Sequence, residues 1–222
     1  MKSLALLLAL LAALRLTGCA PKTPSTTDPP AVHSTQILEE LRALLDSLEI
    51  VQPRDSLPSY DRSSWGSWRD DDSDCQNSRE ETLISEAIGE IVFQDDIRQC
   101  KVSAGQWKTP FSGELITDPR KLDVDHMVPL KNAHISGAWR WAEDTRRAYY
   151  NDLSYANHLV AVTSSANRSK GAHGPESWKP QDRSYWCQYA TDWVVIKLDW
   201  GLTANRVEWA ALYSMLLTCS EE

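Results

Sequence analysis

The sequence predicts an α+β fold, and three features of the 222-residue chain indicate it. Apolar residues recur at helical spacing near both ends, in residues 37–48 and in residues 184–219. Between them, short apolar runs alternate with turns rich in proline and glycine, which is typical of short strands. Four cysteines beyond residue 70 form an even set that disulfides can pair. We therefore expect a small stranded core, stapled by disulfides, with helices added at its N-terminal and C-terminal ends.

The N-terminus predicts export. A Met-Lys-Ser start and an apolar run over residues 4–14 are typical of a signal peptide, and the run is too short to span a bilayer. Residues 16–19, Leu-Thr-Gly-Cys, resemble a lipobox, which predicts a signal peptide over residues 1–18 and lipidation of Cys19. Arg15 departs from that pattern, so an ordinary secretory signal followed by a chance cysteine is the alternative.

Two segments follow the signal peptide. Residues 19–34 are rich in proline, threonine and serine and carry few apolar side chains, so we expect a flexible tether to a membrane. Residues 35–222 are long enough for one domain with its own core and too short for two typical domains. We expect a monomer anchored in the cell envelope, with free secretion as the alternative.

Export to an oxidising compartment favours disulfides over free thiols. Four cysteines allow three pairings. We favour Cys75–Cys100 and Cys187–Cys219, because each pair brackets one local unit of the chain. Metal binding by these cysteines is less favoured, since no C-x-x-C spacing occurs.

The charge distribution is uneven. The formal net charge of −8 excludes a strongly basic DNA-binding domain. Residues 101–183 nevertheless carry 12 basic and 9 acidic side chains, whereas residues 20–100 carry 7 basic and 17 acidic ones. The positive charge therefore gathers in the middle of the chain, where a local phosphate-facing patch is expected.

Periodicity and turn signals place each element in order. We expect an amphipathic helix over residues 37–48 that docks on the domain, with binding of a partner as the alternative. The remaining elements are expected as a helix at 80–93, strands at 100–107, 114–117 and from 121, a helix at 138–150, a strand at 158–162, and helices at 164–170, 184–198 and 203–219.

The run Asp70-Asp71-Asp72-Ser73-Asp74 is a candidate cation loop, because calcium prefers several carboxylate oxygens. The run lacks the central glycine and the terminal glutamate of an EF-hand. A solvated acidic loop is the simpler interpretation.

The residues with the clearest chemistry are Asp125 and His126, which follow an apolar run and precede Pro129. Successive residues of a strand point to opposite faces, so both can serve one site only where the strand ends and the backbone turns. A histidine there can remove a proton from water, and a carboxylate can bind a divalent ion. A surface Asp-His pair without function is the alternative.

A second group of polar residues lies some forty residues later. Asn167, on the expected short helix after Thr163 or Ser164, can add a neutral oxygen ligand to the same ion. Arg168 and Lys170 can face a phosphate. Asn157 can hydrogen-bond loop backbone and hold the long excursion between the strands in place.

Together these residues, within a core motif at residues 121–171, resemble the HNH nucleases of the ββα-metal fold. Tyr60-Asp61-Arg62, Ser136-Gly137-Ala138 and Trp178 extend the resemblance to a secreted bacterial HNH family related to the C-terminal part of GmrSD restriction enzymes.

The resemblance implies a role for each matching residue. It implies that Asp125 and Asn167 hold a metal, His126 activates water, Asn157 steadies the loop and Lys170 lies near phosphate. Asparagine at the last position, where many HNH enzymes have histidine, makes both protein donors oxygens and favours one Mg²⁺ or Mn²⁺ over Zn²⁺.

The sequence thus predicts an endonuclease with little sequence specificity that cuts DNA, with RNA as an alternative substrate. No recognition helix or repeat is evident. The alternative function is a non-catalytic surface lipoprotein that uses an HNH-like scaffold as a binding module, which the acidic net charge favours.

Overall fold

A computed structural model describes the backbone of residues 30–220 and the side chains of residues 36–219. The predicted signal peptide and Cys19 lie outside these residues. The first helix, α1, spans Pro30–Asp46, so the last five residues of the predicted tether are helical. Proline suits a first helical position because the N–H it lacks has no partner there.

The described residues contain seven α-helices, most of them at the positions expected from periodicity. After α1 they are α2 (Ser78–Ser85), α3 (Leu130–Ile135), α4 (Glu143–Tyr150), α5 (Ser164–Lys170), α6 (Trp186–Asp199) and α7 (Arg206–Leu216). Single 3₁₀ turns lie at Arg62–Trp65, Pro119–Lys121, Ala138–Arg140, Arg183–Tyr185 and Leu217–Ser220.

The strands form three separate antiparallel pairs. They are β1 (Val92–Phe93) with β2 (Val102–Ala104), β3 (Trp107–Lys108) with β4 (Leu115–Ile116), and β5 (Leu122–His126) with β6 (Leu159–Thr163). The third pair is the longest, and α5 follows β6 directly. Helices α3 and α4 occupy the excursion between β5 and β6. The fold class is α+β, as predicted.

The expected helix at 80–93 is only half correct. Helix α2 ends at Ser85, and the next residues turn away because Gly89 has a φ of +84° and the Ile88 N–H bonds to the Gln106 carbonyl. Residues 92–93 then pair with β2. The apolar residues of this stretch match a helical period, but pairing with a distant strand decides their conformation.

Two apolar clusters support the third strand pair. The larger packs α1, α6 and α7 against one side of the β5–β6 region, around fully buried Trp65, Tyr149 and Trp193. The smaller lies under α2 and includes Trp107. The structure pairs the four cysteines as favoured, Cys75 with Cys100 and Cys187 with Cys219. Within the described part of the chain, no helix is both long and apolar enough to cross a bilayer.

A carboxyl group holds part of the β6 backbone. The Ala161 N–H donates to Glu86 Oε2 at 2.9 Å, and burial raises the pKa of Glu86 to about 7. The folded state therefore binds this proton more tightly than the unfolded state, whose pKa is near 4.5. The resulting stabilisation is complete below pH 4.5 and is lost as the pH rises through 7.

We expect Glu86→Gln to remove this pH dependence, because glutamine still accepts from Ala161 but carries no charge to desolvate. The variant should gain on the order of 2 kcal/mol relative to wild type at pH 8 and little at pH 5. Urea unfolding at both values measures the difference, with the exposed Glu90→Gln as control. If the variant and wild type differ in unfolding free energy by the same amount at both pH values, Glu86 is not the group that causes the pH dependence.

Candidate active site

The third strand pair sets the positions of the predicted residues. Alternation along β5 puts Asp123 and Asp125 on one face, and His126 ends the strand opposite Leu159. Thr163 then caps α5, its Oγ1 accepting from the Ala166 N–H at 3.2 Å. The helix therefore starts directly beside the β5 residues.

The ring of His126 is held from two sides. Its Nε2 lies 2.9 Å from the Tyr150 carbonyl, which can only accept, so Nε2 carries the hydrogen. Trp68 stacks on the ring with centroids 5.7 Å apart and planes 7° from parallel. The bond to Tyr150 is the only hydrogen bond of the His126 ring among the described residues, and His126 lines a cavity. The neutral imidazole therefore presents an unprotonated Nδ1.

The protonation of His126 follows from its surroundings. The residue is 4% exposed, and burial lowers its pKa well below the usual value. The nearby His158 and Arg62 act in the same direction, while the bond to Tyr150 opposes them. At neutral pH the ring is uncharged, which is the state a proton acceptor requires.

The position of Lys170 differs from the expectation that it contacts phosphate. Its ammonium is fully buried, 2.6 Å from Asp125 Oδ2 and 2.8 Å from the His126 carbonyl. Burial raises the pKa of Asp125 and lowers that of Lys170, and the attraction between them opposes both shifts. Lys170 lies three residues after Asn167, so the turn of α5 carries it inward under β5. It is an internal counter-ion of Asp125.

Asn167 is oriented by a residue to which we assigned no role from sequence. Its Nδ2 donates to Asp123 Oδ2 at 2.9 Å, while Asp123 Oδ1 accepts from Ser164 Oγ at 2.9 Å. A carboxylate can only accept, so the amide nitrogen must face Asp123. This arrangement leaves the amide oxygen of Asn167 without a partner among the described residues.

A cavity of about 330 Å³ brings these groups together. Its lining includes Asp125, His126 and Asn167, so one open space reaches all three predicted residues. Lys170 occupies only Oδ2 of Asp125, and the oxygen of Asn167 is unpaired, so two oxygen donors suit a hard divalent cation. Its remaining lining residues are Tyr60, Arg62, Val124, Pro129, Leu130, Lys131, Gly171 and Ala172.

Asn157 lies outside this cavity. It was expected to hydrogen-bond loop backbone, but its partner is a side chain. Its Nδ2 donates to Asp192 Oδ1 at 3.0 Å, and Asp192 belongs to α6. The hydroxyls of Tyr155 and Tyr185 and the amide of Gln188 donate to the same carboxylate. Asn157 therefore ties the loop before β6 to α6, and it is not among the residues that line the cavity.

Arg168, which was expected to face a phosphate, does not line the cavity, and neither do His134, His158 and His173. Arg168 and His173 are exposed. His158 is buried, with Nε2 2.8 Å from the Tyr149 carbonyl, and His134 likewise bonds to the Pro58 carbonyl. Both are packing residues.

The acidic loop has carboxylates of Asp70, Asp72 and Asp74 within 4.8 Å of one another, all exposed. They accept backbone N–H groups of the same loop, from residues 74 to 76.

The roles of three groups at the site were not predicted from the sequence. The Tyr150 carbonyl is a backbone group, so no pattern of side chains in the sequence can identify it as a partner of His126. Arg62 was named only as part of the resemblance and received no role, because it lies 64 positions before His126 and only folding brings them together. Asp123 could have been identified from the sequence, because residues two apart on a strand share a face and Asp123 precedes Asp125 by two positions.

The chain belongs to the nuclease-related family defined by the C-terminal domain of GmrSD restriction endonucleases, which matches residues 77–213. It is 36% identical over 212 residues to an uncharacterized secreted protein of the fungus Arthroderma benhamiae, covering 96% of this chain and 98% of that protein. A fungal relative makes the bacterial attribution of the resemblance too narrow. No solved structure matches the chain.

Proposed function

We propose that the protein is an endonuclease of the HNH type that hydrolyses phosphodiester bonds of DNA. The observation that carries the proposal is the orientation of His126, whose Nε2 is engaged by the Tyr150 carbonyl while the ring lines the same cavity as Asp125 and Asn167. A binding module needs no neutral, oriented histidine beside two oxygen donors. Membership of the GmrSD C-terminal family supports the same activity.

In this mechanism His126 removes a proton from a water molecule in the cavity. The proton goes to Nδ1, and the Tyr150 carbonyl stabilises the imidazolium by keeping its bond to Nε2. Trp68 fixes the plane of the ring, so that Nδ1 stays aimed at one point. The electron pair of the water oxygen then attacks phosphorus, and the bond to the leaving oxygen breaks.

Asp125 and Asn167 are the residues that would hold one divalent ion, Mg²⁺ or Mn²⁺. Such an ion supplies charge compensation at the phosphate and at the leaving oxygen. Asp123 keeps the amide oxygen of Asn167 turned away from the strand pair, and the Lys170 ammonium favours the ionised form of Asp125 against the effect of burial.

The proposed cellular setting is export, which the secreted relative supports. Anchoring through a lipid on Cys19 stays a prediction, as do the monomeric state, weak sequence preference and a phosphate contact from exposed Arg168.

The test is cleavage of a supercoiled plasmid by the purified protein with Mg²⁺ or Mn²⁺. We expect nicking that EDTA abolishes and that Asn167→Ala reduces by about 10²-fold, since the amide oxygen is lost. Ser165→Ala, an exposed change on the same helix, is the control. Full activity in EDTA would contradict the metal requirement, and no cleavage of DNA or RNA under any condition would favour the binding module.

A further inference from the structure

The substrate needs positive charge that the predicted residues do not provide. The protein carries a net charge of −8, and the cavity itself contains the Asp125 carboxylate. A polyanion approaching this site is repelled unless cations line it. Lys170 is fully buried and paired with Asp125, and Arg168 does not line the cavity.

Two other cations do line the cavity. Arg62 comes from the 3₁₀ turn that precedes the family-matched region, and Lys131 comes from the first turn of α3. Both are exposed, and among the described residues neither has a carboxylate within ion-pairing distance. Their charge is therefore free to meet an anion.

The turn that carries Arg62 is anchored on both sides. Asp61 caps it by accepting from the Ser63 N–H at 2.9 Å, and the fully buried Trp65 packs edge-on against Tyr149. Arg146 of α4 donates to the Ser64 carbonyl at 3.2 Å. The backbone beside Arg62 is thus held by the same helix whose last carbonyl orients His126.

The segment just before this turn is anchored as well. His134 Nε2 lies 2.8 Å from the Pro58 carbonyl, and the Tyr60 and His134 rings meet edge-on at 5.6 Å. The guanidinium of Arg62 itself lies 5.9 Å from the Tyr150 ring centre. A planar cation held in this way can form two parallel hydrogen bonds to a phosphate.

We propose that Arg62 and Lys131 are the residues that bind the phosphates of the nucleic-acid strand, and that the segment 58–65 is therefore part of the active site. The inference rests on the proposed function. It extends the site beyond residues 77–213, which match the GmrSD C-terminal domain, to the Tyr60-Asp61-Arg62 run noted in the resemblance. Arg62 binds one phosphate through two N–H groups, and the Lys131 ammonium attracts the phosphates as a point charge.

The test measures DNA binding and cleavage separately. Binding of a fluorescein-labelled 20-base-pair DNA is measured by anisotropy at several salt concentrations, in the His126→Ala background. We expect Arg62→Met and Lys131→Met each to weaken binding about tenfold and to lower the slope of log K against log salt by about one. Arg62→Lys should restore the slope but only part of the affinity, because lysine cannot form two parallel bonds.

The matched control is Arg54→Met, which removes another exposed arginine that lies over an aromatic ring, Trp139 at 5.3 Å, away from the cavity. It should change neither affinity nor slope. With His126 intact, Arg62→Met should raise KM for plasmid cleavage more than it lowers kcat, while circular dichroism shows an unchanged fold. Wild-type affinity, slope and KM in Arg62→Met would overturn the inference, whereas undiminished cleavage by His126→Ala would overturn the proposed function instead.

Discussion

Replacing His126 by alanine is expected to reduce plasmid cleavage by about 10²–10⁴-fold, the usual contribution of a positioned general base. The ring is neutral, its Nε2 hydrogen is committed to the Tyr150 carbonyl, and no other histidine is among the described residues that line the cavity. Initial rates of nicking at saturating Mg²⁺ or Mn²⁺ measure the loss. His173→Ala, an exposed histidine outside the cavity, should keep wild-type rates.

Free imidazole provides a second, sharper readout for this variant. The deleted ring leaves space beside Trp68, and added imidazole base can take the proton in place of His126. We expect the rate of His126→Ala to rise with imidazole concentration, while His173→Ala does not respond. Wild-type activity in His126→Ala would rule out this residue as the proton acceptor.

Replacing Lys170 by methionine is expected to destabilise the folded protein by about 3–5 kcal/mol, the cost of leaving one partner of a buried ion pair alone. The change removes both hydrogen bonds that the fully buried ammonium donates, to Asp125 Oδ2 and to the His126 carbonyl. For a chain of this size the thermal midpoint should fall by roughly 6–20 °C. The exposed Lys121→Met is the matched control and should shift it little.

A double variant separates the lost ion pair from the lost packing. Lys170→Met with Asp125→Asn removes both charges, so it should be more stable than Lys170→Met alone by more than about 1 kcal/mol. Mn²⁺ should raise the midpoint of Lys170→Met more than that of wild type, because the ion replaces the missing positive charge beside Asp125. If the double variant is less stable than both single ones, Lys170 does not act as a counter-ion.

Much of the local structure could be predicted because it depends on neighbouring residues. Alternation in residues 122–126, a cap at Thr163 and a seven-residue helix ending before Gly171 are all short-range features. The two disulfides were favoured because each pair brackets a local unit. The helix predicted over residues 88–93 was wrong for the opposite reason. Val92 and Phe93 pair with Ala104 and Val102, which lie 12 and 9 positions away, and a helical period was equally compatible with the sequence.

By itself, the sequence determined the strand-strand-helix order that places Asp125, His126 and Asn167 at one cavity, the residues to which we assign the proposed chemistry. Only the tertiary structure decided what those residues contact. It buried Lys170 against Asp125 and outside the cavity lining, left the Asn167 oxygen unpaired because the amide nitrogen bonds to Asp123, and brought Arg62 to the cavity. Periodicity encodes the face on which a side chain lies, but its partner across the fold depends on packing between distant segments.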